Sequence, residues 1–404
     1  MSATAVTSLF WILLISVLGP LIAGLIPGNR VPEVVILLAG GILIGPHTLD
    51  LATDGSAIDL LRELGLGMLF LLAGYEIQTS EVVGKEGRRA LYTWIFCLAL
   101  AFAVTFGIGL TSLVTAESAV AIAMCSTALG TLLPILRDSG LLNQRLGLTV
   151  LNHGAFGELG PVIAMAVLLS ARGSLMSAIV LVLFAIAAVA VWLLTEKFFG
   201  RQRWLTALIA AGSHTTAQTT VRITMLLLIG LMALAYEFEL DTILGAFAAG
   251  FILRRILPDG DEIFEHKLDG IAFGLLIPIF FITSGMAIDI PAVAAKPELL
   301  VTFVLMILVV RGVPVFISTR WDRGNTGDDP PFTIRERSQI ALYSATGLPI
   351  IVAVTGVAVA SGTMSEGNAS VLVTAGALTV LLLPLAATIV GSRGKPAGPD
   401  TPIT

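Results

Sequence analysis

The chain alternates long, nearly uncharged apolar runs with short polar connections. A helix needs about 20 apolar residues to cross the hydrocarbon of a bilayer. By that measure the pattern predicts thirteen spans, near 7–27, 32–49, 60–78, 90–114, 117–136, 147–170, 174–195, 220–236, 240–257, 270–288, 299–319, 338–361 and 368–391. The eighth is short and follows Trp204–Gly212, a stretch that also suits an amphipathic helix lying in the membrane interface. Phe10–Ile26 has neither a basic flank before it nor a small-residue cleavage site, so it reads as a first span rather than a signal peptide. The expected fold is an all-α polytopic membrane protein. It forms one transmembrane domain over 1–391 with a short tail over 392–404.

Composition agrees with the pattern. Hydrophobic residues make up 56% of the 404 and charged residues 13%, with a mean hydropathy of +0.95. Soluble domains carry about 25% charged residues, and a soluble chain could not hide this much apolar surface. The net charge of −5 resides in the loops, and nothing points to nucleic acid. Cys97 and Cys125 both fall in apolar spans and read as buried thiols rather than a disulfide.

Basic residues give the orientation. With the N-terminus outside, the inner loops hold 19 Lys and Arg residues and the outer loops hold Arg62, Arg172 and Lys296. An error of one span would scramble that split. The C-terminus is then cytoplasmic and the localisation a cell (inner or plasma) membrane. The longest polar connection, Arg320–Arg337, reads as a flexible cytoplasmic linker.

Two spans are interrupted near their middles. Span 5 carries Cys125-Ser126-Thr127-Ala128-Leu129-Gly130-Thr131 and then Pro134; span 12 carries Tyr343-Ser344-Ala345-Thr346-Gly347-Leu348-Pro349. Paired interruptions at corresponding positions point to a transporter binding site, because unwound backbone frees carbonyls and half-helix ends to hold ions. Spans 4–6 and 11–13 each place the interrupted helix second and run in opposite directions, as inverted repeats do. Small and hydroxyl residues also serve close helix packing, but two such spans at matching places favour the site.

Two charges stand deep in otherwise apolar spans: Glu158 in span 6 and Arg311 in span 11. A charge at mid-bilayer costs roughly 2.5–3.5 kcal/mol on insertion scales, so such residues mark ion or proton pathways. Glu158 is the candidate carrier. Arg311 stays protonated and is the candidate charge-compensating partner, for Glu158 or for the exposed carbonyl ends of the broken helices. Gly154, Gly157 and Gly160 recur every three residues and would let another helix approach. Asn152 and His153 are candidates for tuning the pH response. Glu33, Glu76 and Glu117 sit near span ends and read as snorkelling or capping groups; Asp241 opens span 9. His47, His214 and His266 have no metal spacing. With no phosphate-binding loop, catalytic triad or metal cluster, no enzyme and no cofactor are expected.

These residues, with several motifs, resemble the monovalent cation:proton antiporters, in the branch of the glutathione-gated potassium efflux proteins and bacterial sodium/proton antiporters. The similarity lies in the membrane domain. It runs through Val31-Pro32-Glu33 to Gly45-Pro46, Leu71-Leu72-Ala73-Gly74-Tyr75-Glu76, Ser126-Thr127-Ala128, Leu244–Gly250 and Phe280–Asp289. The resemblance implies a core of spans 4–6 and 11–13, with spans 5 and 12 crossing at their unwound centres. Spans 1–3 and 7–10 would form a scaffold that usually dimerises. It maps the family's ion-binding acid to Glu158 and its basic partner to Arg311. Where relatives carry Asp preceded by Asp, Asn or Gln, this chain has Gly157-Glu158. It has no acid in span 12.

The expected function is exchange of Na⁺ or K⁺ for H⁺ by alternating access. Glu158 would bind either ion, with Ser126, Thr127, Ser344, Thr346 and freed carbonyls completing the oxygen set. One deep carboxylate and one permanent cation predict a one-for-one, electroneutral exchange. The expected partners are these ions, membrane lipids and a second copy of the chain. A sodium-coupled symporter of an organic anion and a non-transporting membrane sensor are the alternatives.

Overall fold

The computed structural model describes residues 3–26, 31–76, 84–109, 116–142, 144–169, 174–201, 218–256, 262–324 and 329–392. Trp204–Gly212, His214 and the tail beyond Ser392 lie outside them.

The elements among the described residues are helical. The chain opens with α1 (Ala3–Leu25), α2 (Glu33–Ile44), α3 (Ser56–Glu76) and α4 (Lys85–Gly109). Two halves of one rod follow, α5 (Glu117–Met124) and α6 (Leu129–Asp138). Next come α7 (Arg145–Leu168), α8 (Ser174–Arg201), α9 (Thr219–Glu237) and α10 (Thr242–Ile256). α11 (Glu262–Ile271) passes through a π segment, Ala272–Leu276, into α12 (Ile277–Met286). After the short α13 (Ile290–Ala294), α14 (Pro297–Ile307) passes through a second π segment, Leu308–Gly312, into α15 (Val313–Ser318). A second broken rod, α16 (Ile334–Ser344) and α17 (Leu348–Ala360), precedes α18 (Glu366–Ser392). Among the described residues, eight helices are long and apolar enough to cross a membrane, and three more are apolar but shorter.

Proline and caps set several boundaries. Pro349 sits in the first turn of α17, where its missing N–H costs nothing. Pro278 and Pro314 open α12 and α15 directly after the two π segments. A proline leaves the carbonyl four residues back without its donor, and a widened turn accommodates the break. Asp241 Oδ1 accepts from Ile243 N at 2.9 Å, so it caps α10 as expected. Thr333 and Glu336 form a reciprocal capping box at the start of α16.

The helices form two bundles. In the first, α3 packs along α10, α2 along α12 and α9 along α10. Glycine makes these contacts close: a Cβ on Gly41 would strike the carbonyl of Ile282, one on Gly250 that of Leu71, and one on Gly74 that of Phe247. The glycine-rich Leu244–Gly250 run is therefore a backbone-to-backbone packing surface. In the second bundle α4 packs on α5 and α7, α16 on α7, and α16 and α17 on α18. The bundles meet where α3 touches α6, α10 touches α7 and α2 touches α18.

The connection from 320 to 337 differs from the flexible linker expected from its polar composition. Asp322 is only 2% exposed and lies 3.1 Å from Arg89 Nη1 and 3.0 Å from Arg145 Nη2. Arg145 also donates to the carbonyls of Asp322 and Pro330 and stacks 4.1 Å over the Phe332 ring. Arg337 donates to the Phe316 carbonyl and covers its ring at 4.1 Å. Specific pairing, invisible in the composition, straps this connection across the ends of α4 and α7; residues 325–328 lie outside the described set.

Candidate ion-binding site

α5 stops at Met124 and α6 begins at Leu129; α16 stops at Ser344 and α17 begins at Leu348. The two extended stretches cross and bond directly. Ala128 N donates to Thr346 O at 2.6 Å, Thr127 Oγ1 to Ser344 O at 2.6 Å, and Ser126 Oγ to Gly347 O at 3.3 Å. Thr127 N donates to Gly157 O at 2.9 Å, which pins the crossing to α7. A side chain on Gly347 would collide with Ser126 Oγ. Backbone unwound inside a membrane must be satisfied by its neighbours, and here each broken helix satisfies the other.

Glu158 lies at this crossing, 5% exposed. Its Oε1 accepts from Leu129 N, the first amide of α6, at 2.9 Å. The carboxylate thus caps a half-helix at its positive end. Its Oε2 is sealed from solvent and has no hydrogen-bond partner. An acid held by one oxygen with the other open can take up a proton or a cation.

Arg311 is fully buried, on the π segment of the α14–α15 rod. Neither of the two partners expected for it, Glu158 or a carbonyl end of a broken helix, receives its hydrogen bonds. It makes no ion pair with Glu158. Its guanidinium donates to Thr127 Oγ1 at 3.0 Å and to the carbonyl of His153, and reaches Cys97 Sγ at 3.8 Å. One acceptor is a side-chain oxygen of the crossing and the other a carbonyl of the unbroken α7. Cys97 and Cys125 are buried free thiols, as their apolar spans predicted.

The three glycines have distinct neighbours. A Cβ on Gly154 would strike the Leu129 side chain, and one on Gly160 the Trp94 indole. One on Gly157 would stand 2.5 Å from Thr127 Cβ and 2.6 Å from Arg311 Nη2. A side chain at position 157 would therefore meet the Arg311–Thr127 pair.

The expected ligands are not equally free. Thr127 Oγ1 is engaged by Ser344 O and Arg311, Ser126 Oγ donates to Ala123 O at 2.7 Å, and Thr346 Oγ1 to Tyr343 O at 2.9 Å. Ser344 Oγ is buried without a partner. Asn152 donates to Glu86 Oε2 at 3.3 Å. His153 is buried with Nδ1 unpartnered.

One residue read as a snorkelling group comes within electrostatic reach of Glu158. Glu76 ends α3 with its Oε2 sealed and unpartnered, and its charge acts on those of Glu158, Asp269 and Arg137. Glu76 is only half-buried as a residue, so Glu158 remains the deep carboxylate of the two. The place of Glu76 at a span end hid it; the neighbouring Tyr75, whose hydroxyl donates to Glu265 at 2.7 Å, ties that end of α3 to α11.

On the far side of Glu158 from Glu76, a cavity of about 550 Å³ opens between α7, α17 and the α9–α10 turn. Met165, Glu237, Glu239 and Asp241 are among its lining residues. Met165 lies two turns along α7 from Glu158, about 10 Å. Among the described residues, no group of His, Cys, Asp and Glu could hold a resident metal ion.

The fold is similar to that of a solved structure, the sodium proton antiporter MjNhaP1 from Methanocaldococcus jannaschii. The TM-score is 0.60 at 18% identity, over 95% of this chain and 97% of that one. Similar sequences include YjbQ of Bacillus subtilis (strain 168), 26% identical over 86% of this chain and 58% of its own length. The Na(+)/H(+)-K(+) antiporter GerN of Bacillus cereus is 24% identical over 87% of this chain and 88% of its own. The glutathione-regulated potassium-efflux system protein KefC of Cronobacter sakazakii is 28% identical over 70% of this chain and 45% of its own. The chain thus spans about half the length of some relatives and nearly all of another. The description "sodium/hydrogen exchanger, transmembrane" matches residues 12–392, and the chain belongs to that family.

Proposed function

We propose that this chain is a secondary transporter that exchanges a monovalent cation, Na⁺ or K⁺, for H⁺ by alternating access at Glu158. The observation that carries the reading is the buried carboxylate at the crossing, with one oxygen on the α6 amide and the other open. A proton and a cation compete for that oxygen, so loading one expels the other. Ser344 Oγ and the carbonyls of the crossing supply hard oxygen ligands of the kind an alkali cation takes. The names of its relatives, Na(+)/H(+)-K(+) antiporter among them, support the same chemistry.

Movement of the second bundle, α4–α7 with α14–α18, against the first would expose Glu158 to each face in turn. The exchange is one for one and electroneutral as long as Glu76 keeps one protonation state through the cycle. The protein resides in a cell membrane as a homodimer among lipids, with the N-terminus outside and the C-terminus in the cytoplasm. The basic-residue count supports that orientation.

The test is cation-driven dequenching of a pH dye in proteoliposomes, for Na⁺, K⁺ and Li⁺. Wild type should respond and Glu158→Gln should be silent. A silent wild type across roughly pH 6–9, within which carboxylates tuned for proton transfer operate, would refute the reading. A current that reverses with the cation gradient would show that the exchange is not one for one.

A further inference from the structure

The approach to Glu158 from the Glu76 side carries charges from both bundles. A Cβ on Gly130 of α6 would touch Leu69 Cδ1 of α3 at 4.0 Å, so the two helices lie side by side there. α4 returns the chain between them, so α3 and α6 run the same way. Glu76 and Arg137 each lie seven residues beyond that contact. Seven residues are two helical turns, which puts the pair at one level on facing sides of their helices. The charge of Arg137 acts on Glu76, and it acts also on Asp269 of α11. Arg137 and Asp269 are exposed, and among the described residues the three form no ion pair within 4 Å. Glu76 Oε2 and Glu158 Oε2 are both sealed and unpartnered. A fixed cation of one bundle therefore faces two carboxylates of the other across the seam, eight residues or about 12 Å along α6 from the amide that holds Glu158.

We propose that Arg137 is a tethered counter-ion on this approach. It stands in for the transported cation beside Glu76 and Asp269 when the site is empty, and it sets the affinity for cations arriving from that face. This rests on the antiporter reading. The acids attract an incoming monovalent cation and the guanidinium opposes it, so the balance of the three fixes the local cation concentration. Because the charges sit on different bundles, movement of one bundle changes their separation and thus the affinity.

The experiment is oriented proteoliposomes with cation added to one face at a time, comparing wild type, Arg137→Gln, Arg137→Lys and Asp269→Asn. Arg137→Gln should lower KM from the Glu76 face about five-fold, as removal of one partly screened unit charge would. Vmax should change far less, and KM from the opposite face should not move. Asp269→Asn should raise the same KM by a similar factor, and Arg137→Lys should behave as wild type. An Arg137→Gln effect equal on both faces, or an Arg137→Lys variant that mimics it, would overturn the assignment. A second readout needs no transport: cation-dependent thermal stabilisation of the full chain in detergent. Its midpoint should shift to lower cation concentration in Arg137→Gln. If wild type carries no cation but this midpoint shifts, the antiporter reading fails and the counter-ion stands. An unmoved midpoint removes the counter-ion.

Discussion

At the scale of single residues, the site is a division of labour among oxygens. Thr127 Oγ1 is consumed by Ser344 O and Arg311, whereas Ser344 Oγ is unspent. Thr127→Ala should therefore cost stability, about 1–3 kcal/mol, because it orphans a buried guanidinium donor. Thermal unfolding in detergent measures that cost. Ser344→Ala should leave the melting point nearly unchanged and raise the KM for the cation. Gly157→Ala should also destabilise, by about 1–3 kcal/mol, because its methyl displaces Arg311 and Thr127 from their contact. A Gly157→Ala protein that melts with wild type would show that the pair has room to retreat. Glu158 and Arg311 were legible in the sequence because a charge in an apolar run has few cheap explanations. Glu76 was not, because a carboxylate at a span end has a cheap one. Nor could sequence show that Arg311 would reach Thr127 Oγ1 and the His153 carbonyl, since that depends on how near the crossing comes to α7.

At the scale of elements, both interruptions fell where hydroxyl, small and proline residues gather, so the broken rods were readable. The π segments were not. They follow from where Pro278 and Pro314 meet an otherwise continuous helix, and a proline in an apolar run is equally compatible with a kink. The strap was misread for a related reason. Its residues are polar and turn-forming, but Asp322 is held by two arginines from α4 and α7. Asp322→Asn leaves those two cations short of a counter-charge. The arginine side chains are 25–30% exposed, so the cost falls below that of a fully buried pair. The expected loss is about 1–3 kcal/mol with earlier proteolysis in the strap, read by limited digestion. Packing glycines give a paired check. Gly250→Ala should destabilise because its Cβ meets the Leu71 carbonyl, whereas Gly356→Ala should be neutral because nothing lies within 4 Å.

At the scale of the whole molecule, two bundles share one seam, and the charges that matter lie along it: Glu158 on one side, Glu76 and Asp269 on the other. A carboxylate that serves both ions makes pH and cation concentration interchangeable variables. The sign follows directly. Lower pH fills Glu158 with protons, so more cation is needed to displace them, and saturating cation restores the full rate. The central claim is that competition, and its most direct test is the KM for the best-carried cation in proteoliposomes, measured as pH is lowered with the pH gradient held fixed. The account predicts a KM that climbs toward about ten-fold per pH unit, the limit for one competing proton, with Vmax unchanged. A KM that stays flat while Vmax falls would place the proton at a separate group and contradict the account.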